Sequence, residues 1–290
     1  MKRLLHLSFI AIMLLCLLSC NHKQQDNRPI ITVSIEPLRY VVEAVAGDKY
    51  QVKTLMPQGA SPETYEPTPR QMVALGESQL VFRMGSLGFE QTQLPRMMNS
   101  LTNVSLIDAA QGIPLIVSTH HHEGELESGD PHVWLSPQNL IAMARNVAET
   151  LSQHDKPNAV YYRQRVQRFE QQMKALDQEL SKNLQGIKCR TFLIYHPALG
   201  YLAHQYELQQ LAVEHDGKEP SAAYMQQLIT QCKKESVKVV FISKEHNGRS
   251  AERIAHELGA HVVTINPLDF DVPHQLKNIV NELKSEQVEE

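Results

Sequence analysis

The strongest constraint on this chain is a rhythm. Short β-rich runs alternate with helical apolar patterns, and the same order is played twice. Residues 31–35 form the first β-rich run. Leu38, Val41, Val42 and Val45 then recur at helical spacing until Gly47 stops them. Residues 50–56 make a second strand, followed by a long turn over 57–67 with three prolines. Thr68-Pro69 opens another helix, with Met72 and Leu75 facing inward. Residues 80–84 and 104–107 are the third and fourth strands. Strands alternating with helices predict βαβ units and parallel sheets.

The second half repeats this grammar without repeating its residues. Strands are expected at 190–195, 211–213, 237–242 and 262–265, each followed by a helical pattern. Between the halves lies a longer apolar stripe: Val166, Phe169, Met173, Leu176 and Leu180, at spacings of three and four. Starting near Pro157 and ending before Gly186, it predicts a helix on the order of 40 Å long. The expected fold is therefore α/β: two (β/α) lobes with parallel sheets, joined by a long rigid helix. The first lobe spans 30–154, the linking helix 155–187 and the second lobe 188–290.

The ends say where such a chain works. Met1-Lys2-Arg3 precedes an apolar run from Leu4 to Leu18, a pattern expected of an export leader over residues 1–19. Leu17-Leu18-Ser19-Cys20 resembles a bacterial lipobox, which implies cleavage before Cys20 and a lipid on its sulfur. Polar residues 20–29 then serve as a tether. The chain carries 32 acidic against 28 basic residues, with a formal charge of −4. With no basic tract, a nucleic-acid partner is not expected. Only Cys189 and Cys232 fall in the folded part; an exported location permits a disulfide, and the sequence leaves their pairing open.

Residues able to hold a metal collect where strands end. Glu63 follows the second strand, His132 the fourth, and His196 the strand 190–195; Asp269 and Asp271 follow the last strand. In parallel sheets, ligands gather at the carboxyl edge. His132 sits in Asp130-Pro131-His132-Val133-Trp134-Leu135-Ser136-Pro137, which holds the only tryptophan and runs into a helix start. Two imidazoles and two carboxylates, two from each lobe, make a plausible site for a divalent ion in the interlobe cleft. His120, His121 and His122 open a polar loop that could collect metal weakly or simply be solvated. His256 and His261 do not fit a zinc-protease helix, because their spacing is one residue too long and Gly259 interrupts it. His204, His215 and His246 carry no spacing argument, although His215 and Glu245 could line the cleft.

Four segments carry a family resemblance. They are Gly59-Ala60-Ser61-Pro62-Glu63-Thr64-Tyr65-Glu66-Pro67-Thr68-Pro69, the Asp130–Pro137 octapeptide, Tyr195-His196-Pro197-Ala198-Leu199-Gly200-Tyr201-Leu202, and Glu219-Pro220-Ser221. In that order the chain resembles, over roughly residues 30–285, the periplasmic or lipid-anchored binding proteins of ABC importers for zinc and manganese. The resemblance implies an extracytoplasmic monomer that captures zinc, with manganese second, and delivers it to a membrane permease. It implies metal ligands at Glu63, His132, His196 and Asp271. Glu63 stands where the family usually has histidine. His196 matches the zinc-type members, whereas manganese-type members tend to carry glutamate there. Asp271 maps best to the family's last ligand, with Asp269 or water as alternatives. The histidines at 120–122 resemble a short form of the zinc members' histidine-rich loop.

Two other functions are weighed against capture. A metal-dependent hydrolase would need an open coordination position and a general base, and no hydrolase motif is present. A surface adhesin role is known among lipoproteins of this family, and the sequence does not address it.

Overall fold

A computed structural model describes residues 26–116, 129–214 and 220–285. The lipobox cysteine Cys20, the loop histidines His120, His121 and His122, and His215 lie outside the described residues.

The first sheet contains β1 (Ile30–Val33), β2 (Gln51–Thr54), β3 (Ser78–Arg83) and β4 (Ser105–Asp108) in the order β2-β1-β3-β4. Every pairing is parallel. Helix α1 (Glu36–Ala46) crosses from β1 to β2, with Leu38, Val41, Val42 and Val45 fully buried. Gly47 ends it at φ 59°, and its Cα lies so close to Tyr161 that a Cβ would meet the phenol oxygen at 2.1 Å. Only glycine satisfies both demands. Helix α2 (Pro69–Leu75) starts on a capping box between Thr68 and Gln71. Two short helices that the apolar pattern did not announce, α3 (Gly88–Thr92) and α4 (Leu94–Met98), fill the β3–β4 crossover.

Helix α5 (Pro137–His154) leads through a 3₁₀ turn (Lys156–Asn158) into the 25-residue α6 (Ala159–Asn183). Val166, Phe169, Met173, Leu176 and Leu180 are buried along α6, as their spacing predicts, and Tyr162 extends the stripe by one turn. The second sheet repeats the first sheet's order. Strands β5 (Thr191–Ile194), β6 (Gln209–Ala212), β7 (Val239–Ser243) and β8 (His261–Ile265) lie as β6-β5-β7-β8, again all parallel. Helices α7 (Gly200–Gln205), α8 (Ala222–Lys234), α9 (Arg249–Leu258) and α10 (Val272–Ser285) complete the lobe.

The long helix is more than a spacer. It packs along α1 and α5 of the first lobe and against α10 of the second. Lys277 pairs with Glu179 at 2.7 Å on that second contact. The alternation of the second sheet explains how the lobes share a core. Phe192, Ile194, Val239 and Phe241 join one apolar cluster that runs through α6 into the first lobe. Leu193, Val240 and Ile242 face the other way, into a smaller cluster with Leu228, Ile254 and Cys232. Period-two alternation buries both faces, as a parallel sheet requires. A shared apolar core of this kind opposes large lobe movements.

Candidate metal centre

The Asp130–Pro137 segment is fixed from both lobes. Ser136 caps α5 by accepting from the Asn139 amide at 3.2 Å, and its hydroxyl donates to Gln205 at 2.6 Å. Trp134 is fully buried and its indole donates to the Pro267 carbonyl at 2.8 Å. Tyr201 donates to the Asp130 carbonyl at 3.1 Å. Gly200 matters for the same reason: a Cβ there would meet Asp130 Oδ2 at 2.2 Å. The first lobe's carboxylate therefore rests on a bare backbone position of the second lobe.

This clamp aims His132. Asp130 Oδ1 accepts from the His132 backbone amide at 2.9 Å and from Nδ1 at 2.8 Å. A carboxylate only accepts, so Nδ1 carries the proton and Nε2 offers its lone pair. His196 is held in the same way. It lies two residues beyond β5, and its Nδ1 donates to Glu214 Oε2 at 2.6 Å. Glu214 follows β6, the neighbouring strand, and its amide donates to the Tyr195 carbonyl at 2.9 Å. Carboxylate-imidazole pairs of this kind orient metal-binding histidines and raise their basicity.

The two presented nitrogens meet. Nε2 of His196 is 3.4 Å from Nε2 of His132 and 3.2 Å from Glu63 Oε1. Glu63 is carried by the turn after β2, where Phe89 donates to the Pro62 carbonyl at 3.3 Å. The loop before Phe89 is itself anchored by Glu90, a fully buried carboxylate that accepts from the Met84 and Gly85 amides at 2.9 and 2.6 Å. Burial pushes the Glu90 carboxyl up, and these amides partly offset it.

Two donors each about 2.0–2.1 Å from a tetrahedral ion stand roughly 3.3 Å apart. The spacings around His196 Nε2 therefore suit a shared divalent cation. Burial alone disfavours a charged His196, but Glu214, Glu63 and Asp130 outweigh it and hold its pKa above the usual imidazole value.

Not every expected residue arrives. The carboxylate of Asp271 accepts from the His274 amide at 3.1 Å, capping the start of α10, and the residue is exposed. Asp269 accepts from the Asp271 amide at 2.9 Å and from Asn266 at 3.0 Å. His196 Nε2 lies near both Glu63 and His132, but the structure leaves His132 and both aspartates out of the three-donor group found among the described residues, which includes Glu63 and His196. Instead it adds His246, whose donor atom lies with those of Glu63 and His196 inside a mutual 4.8 Å. His246 follows the end of β7, so the strand-end rule that found His196 applies to it equally. Glu214 was reachable by the same rule, applied to β6. Cys189 and Cys232 are not bridged.

Fold and donors together define a two-lobed α/β protein with a divalent-metal site between its lobes. Residues 31–286 match the family described as zinc-uptake complex component A, periplasmic, and the chain belongs to that family. A putative metal-binding protein of Treponema pallidum is 28% identical over 257 residues, covering 84% of this chain and 80% of that one. The zinc-binding lipoprotein AdcA of Streptococcus pneumoniae is 26% identical over 269 residues, or 88% of this chain, which spans only about half (53%) of that protein's length. A crystal structure of ZnuA superposes with a TM-score of 0.85 at 35% identity, covering 90% of this chain and 100% of that one. Among the described residues no helix is long and apolar enough to cross a membrane.

Proposed function

We propose that this protein captures zinc outside the cytoplasm and delivers it to the membrane permease of an ABC importer. The observation that carries this reading is the approach of His132 Nε2 and His196 Nε2 to 3.4 Å, each ring locked by its own carboxylate. Glu63 supplies an oxygen donor beside them. Two neutral imidazoles favour zinc over manganese, which prefers oxygen-rich sites. Capture requires no bond to be made or broken in a substrate, so the protein acts as a carrier and not as an enzyme. The zinc-binding names of the relatives support the same cargo.

Anchoring through a lipid on Cys20 is part of this proposal, supported by the leader pattern and by the lipoprotein relative. The chain works as a monomer, and the histidines at 120–122 act as an auxiliary collecting loop. Deleting the gene and measuring zinc uptake tests the transport role; restored uptake with this chain but not with a His132→Ala/His196→Ala double variant is the expected result. Cys20→Ala should move the protein from membranes to the soluble fraction, and a variant that stays membrane-bound would remove the anchor from the proposal. Deleting residues 120–128 should leave the tight site intact.

A further inference from the structure

His246 is the residue at the centre that the family resemblance does not assign. Strand β7 pairs with β5 through Leu193↔Val240 and Ile194↔Phe241, so the loops after these strands leave the sheet side by side. In the order β6-β5-β7-β8, this is where the strand sequence reverses, the crevice in which open α/β sheets bind ligands. The His246 ring lies flat on the His196 ring, with centroids 4.5 Å apart and planes within 10°. One donor atom of His246 is within 4.8 Å of a donor of Glu63 and a donor of His196. Its Nδ1 is buried and has no hydrogen-bond partner among the described residues.

These facts separate His246 from the two other imidazoles. His132 and His196 each have a carboxylate that fixes ring and tautomer. A buried ring nitrogen left unpartnered is unfavourable, and an entering cation is one partner that would satisfy it. Stacked rings, however, hold their in-plane lone pairs in separate, nearly parallel planes. The two lone pairs converge on one ion only if His246 turns, placing its donor at the roughly 3.3 Å from that of His196 which a tetrahedral site needs.

Resting on the zinc-capture reading, we infer that His246 is the fourth ligand, stacked on His196 before capture and turned onto the ion as it arrives. The loaded site then has three nitrogens and the Glu63 oxygen. That donor set selects zinc and cobalt-like ions over manganese more strongly than two nitrogens would. His246 takes the position that Asp271, committed to the α10 cap, does not fill.

X-ray absorption on the zinc-loaded parent protein counts the imidazoles directly and needs no variant. Three imidazoles are expected. His246→Ala and His246→Gln should then show two, weaken zinc by about tenfold or more while leaving manganese affinity within about threefold, and change the visible spectrum of the cobalt-loaded form. A parent that binds zinc tightly through two imidazoles, or variants with unchanged zinc affinity and cobalt spectrum, overturns the assignment while leaving capture standing. A parent that takes up no zinc overturns both.

Discussion

The Nε2 atoms of His132 and His196 stand 3.4 Å apart although 64 residues separate them along the chain. Each is delivered by a different lobe, and each is held from behind by a carboxylate. Two imidazole lone pairs facing one another at that range repel unless a proton or a metal ion lies between them. Replacing either histidine by alanine should therefore cost zinc affinity at least about 100-fold, roughly 2.7 kcal/mol. Glu63→Ala should cost about tenfold or more, roughly 1.4 kcal/mol, and Glu63→His should retain tight binding. Isothermal titration with zinc reads all of these; unchanged affinity in Glu63→Ala would make that residue a bystander.

The supporting carboxylates carry a separate expectation. Asp130→Asn and Glu214→Gln leave both ligand nitrogens in place but loosen ring orientation and lower basicity. About 10- to 100-fold losses of zinc affinity are expected. Folded content, followed by circular dichroism, should be retained. Full affinity in both variants would show that the rings are positioned by packing alone.

Gly200→Ala tests the contact between lobes. The new methyl group would sit where Asp130 Oδ2 now lies. Asp130 must move, and His132 loses its partner without any change to a ligand. Zinc affinity should fall by about tenfold or more, as for direct loss of the carboxylate. A crystal structure of the variant showing Asp130 and His132 unmoved would contradict this reasoning.

The pH dependence follows from His196. Burial opposes its charged form, yet Glu214 and the other carboxylates raise its pKa overall. In the metal-free protein, charged His196 thus contributes stability that is fully present below the ordinary imidazole pKa of about 6.5 and lost as pH rises through the raised value. Zinc needs the neutral ring, so the linkage runs the other way for binding: affinity falls as pH drops, beginning above the range of an unperturbed histidine. Titrations between pH 8 and pH 5 should show this loss. A flat profile down to pH 5 would exclude His196 from the site.

Much of the lobe architecture is legible in the sequence because buried parallel strands and amphipathic helices have different apolar periods. The stripe from Val166 to Leu180 and the β-rich runs of both halves are found as elements. Strand order is a different matter. The placement of β1 between β2 and β3 depends on pairings between distant segments that no local pattern encodes. The same gap hid His246. Judged along the chain it has no spaced partner; judged across the sheet it follows the strand beside β5. Asp271 shows the reverse. Asp271-Val272-Pro273 already reads as a helix cap, with an acceptor side chain before a proline in the first turn. The His274 amide takes up that carboxylate. The shared core was likewise illegible, since Phe192 and Leu193 differ only in which face they occupy.

The most direct test is a competition titration on the purified protein. Zinc should bind one equivalent at the tight site, and equal manganese should not displace it. Loss of that tight site in His132→Ala and His196→Ala is the accompanying result. Tighter manganese binding, or a zinc site unaffected by both substitutions, would contradict zinc capture through the facing imidazoles.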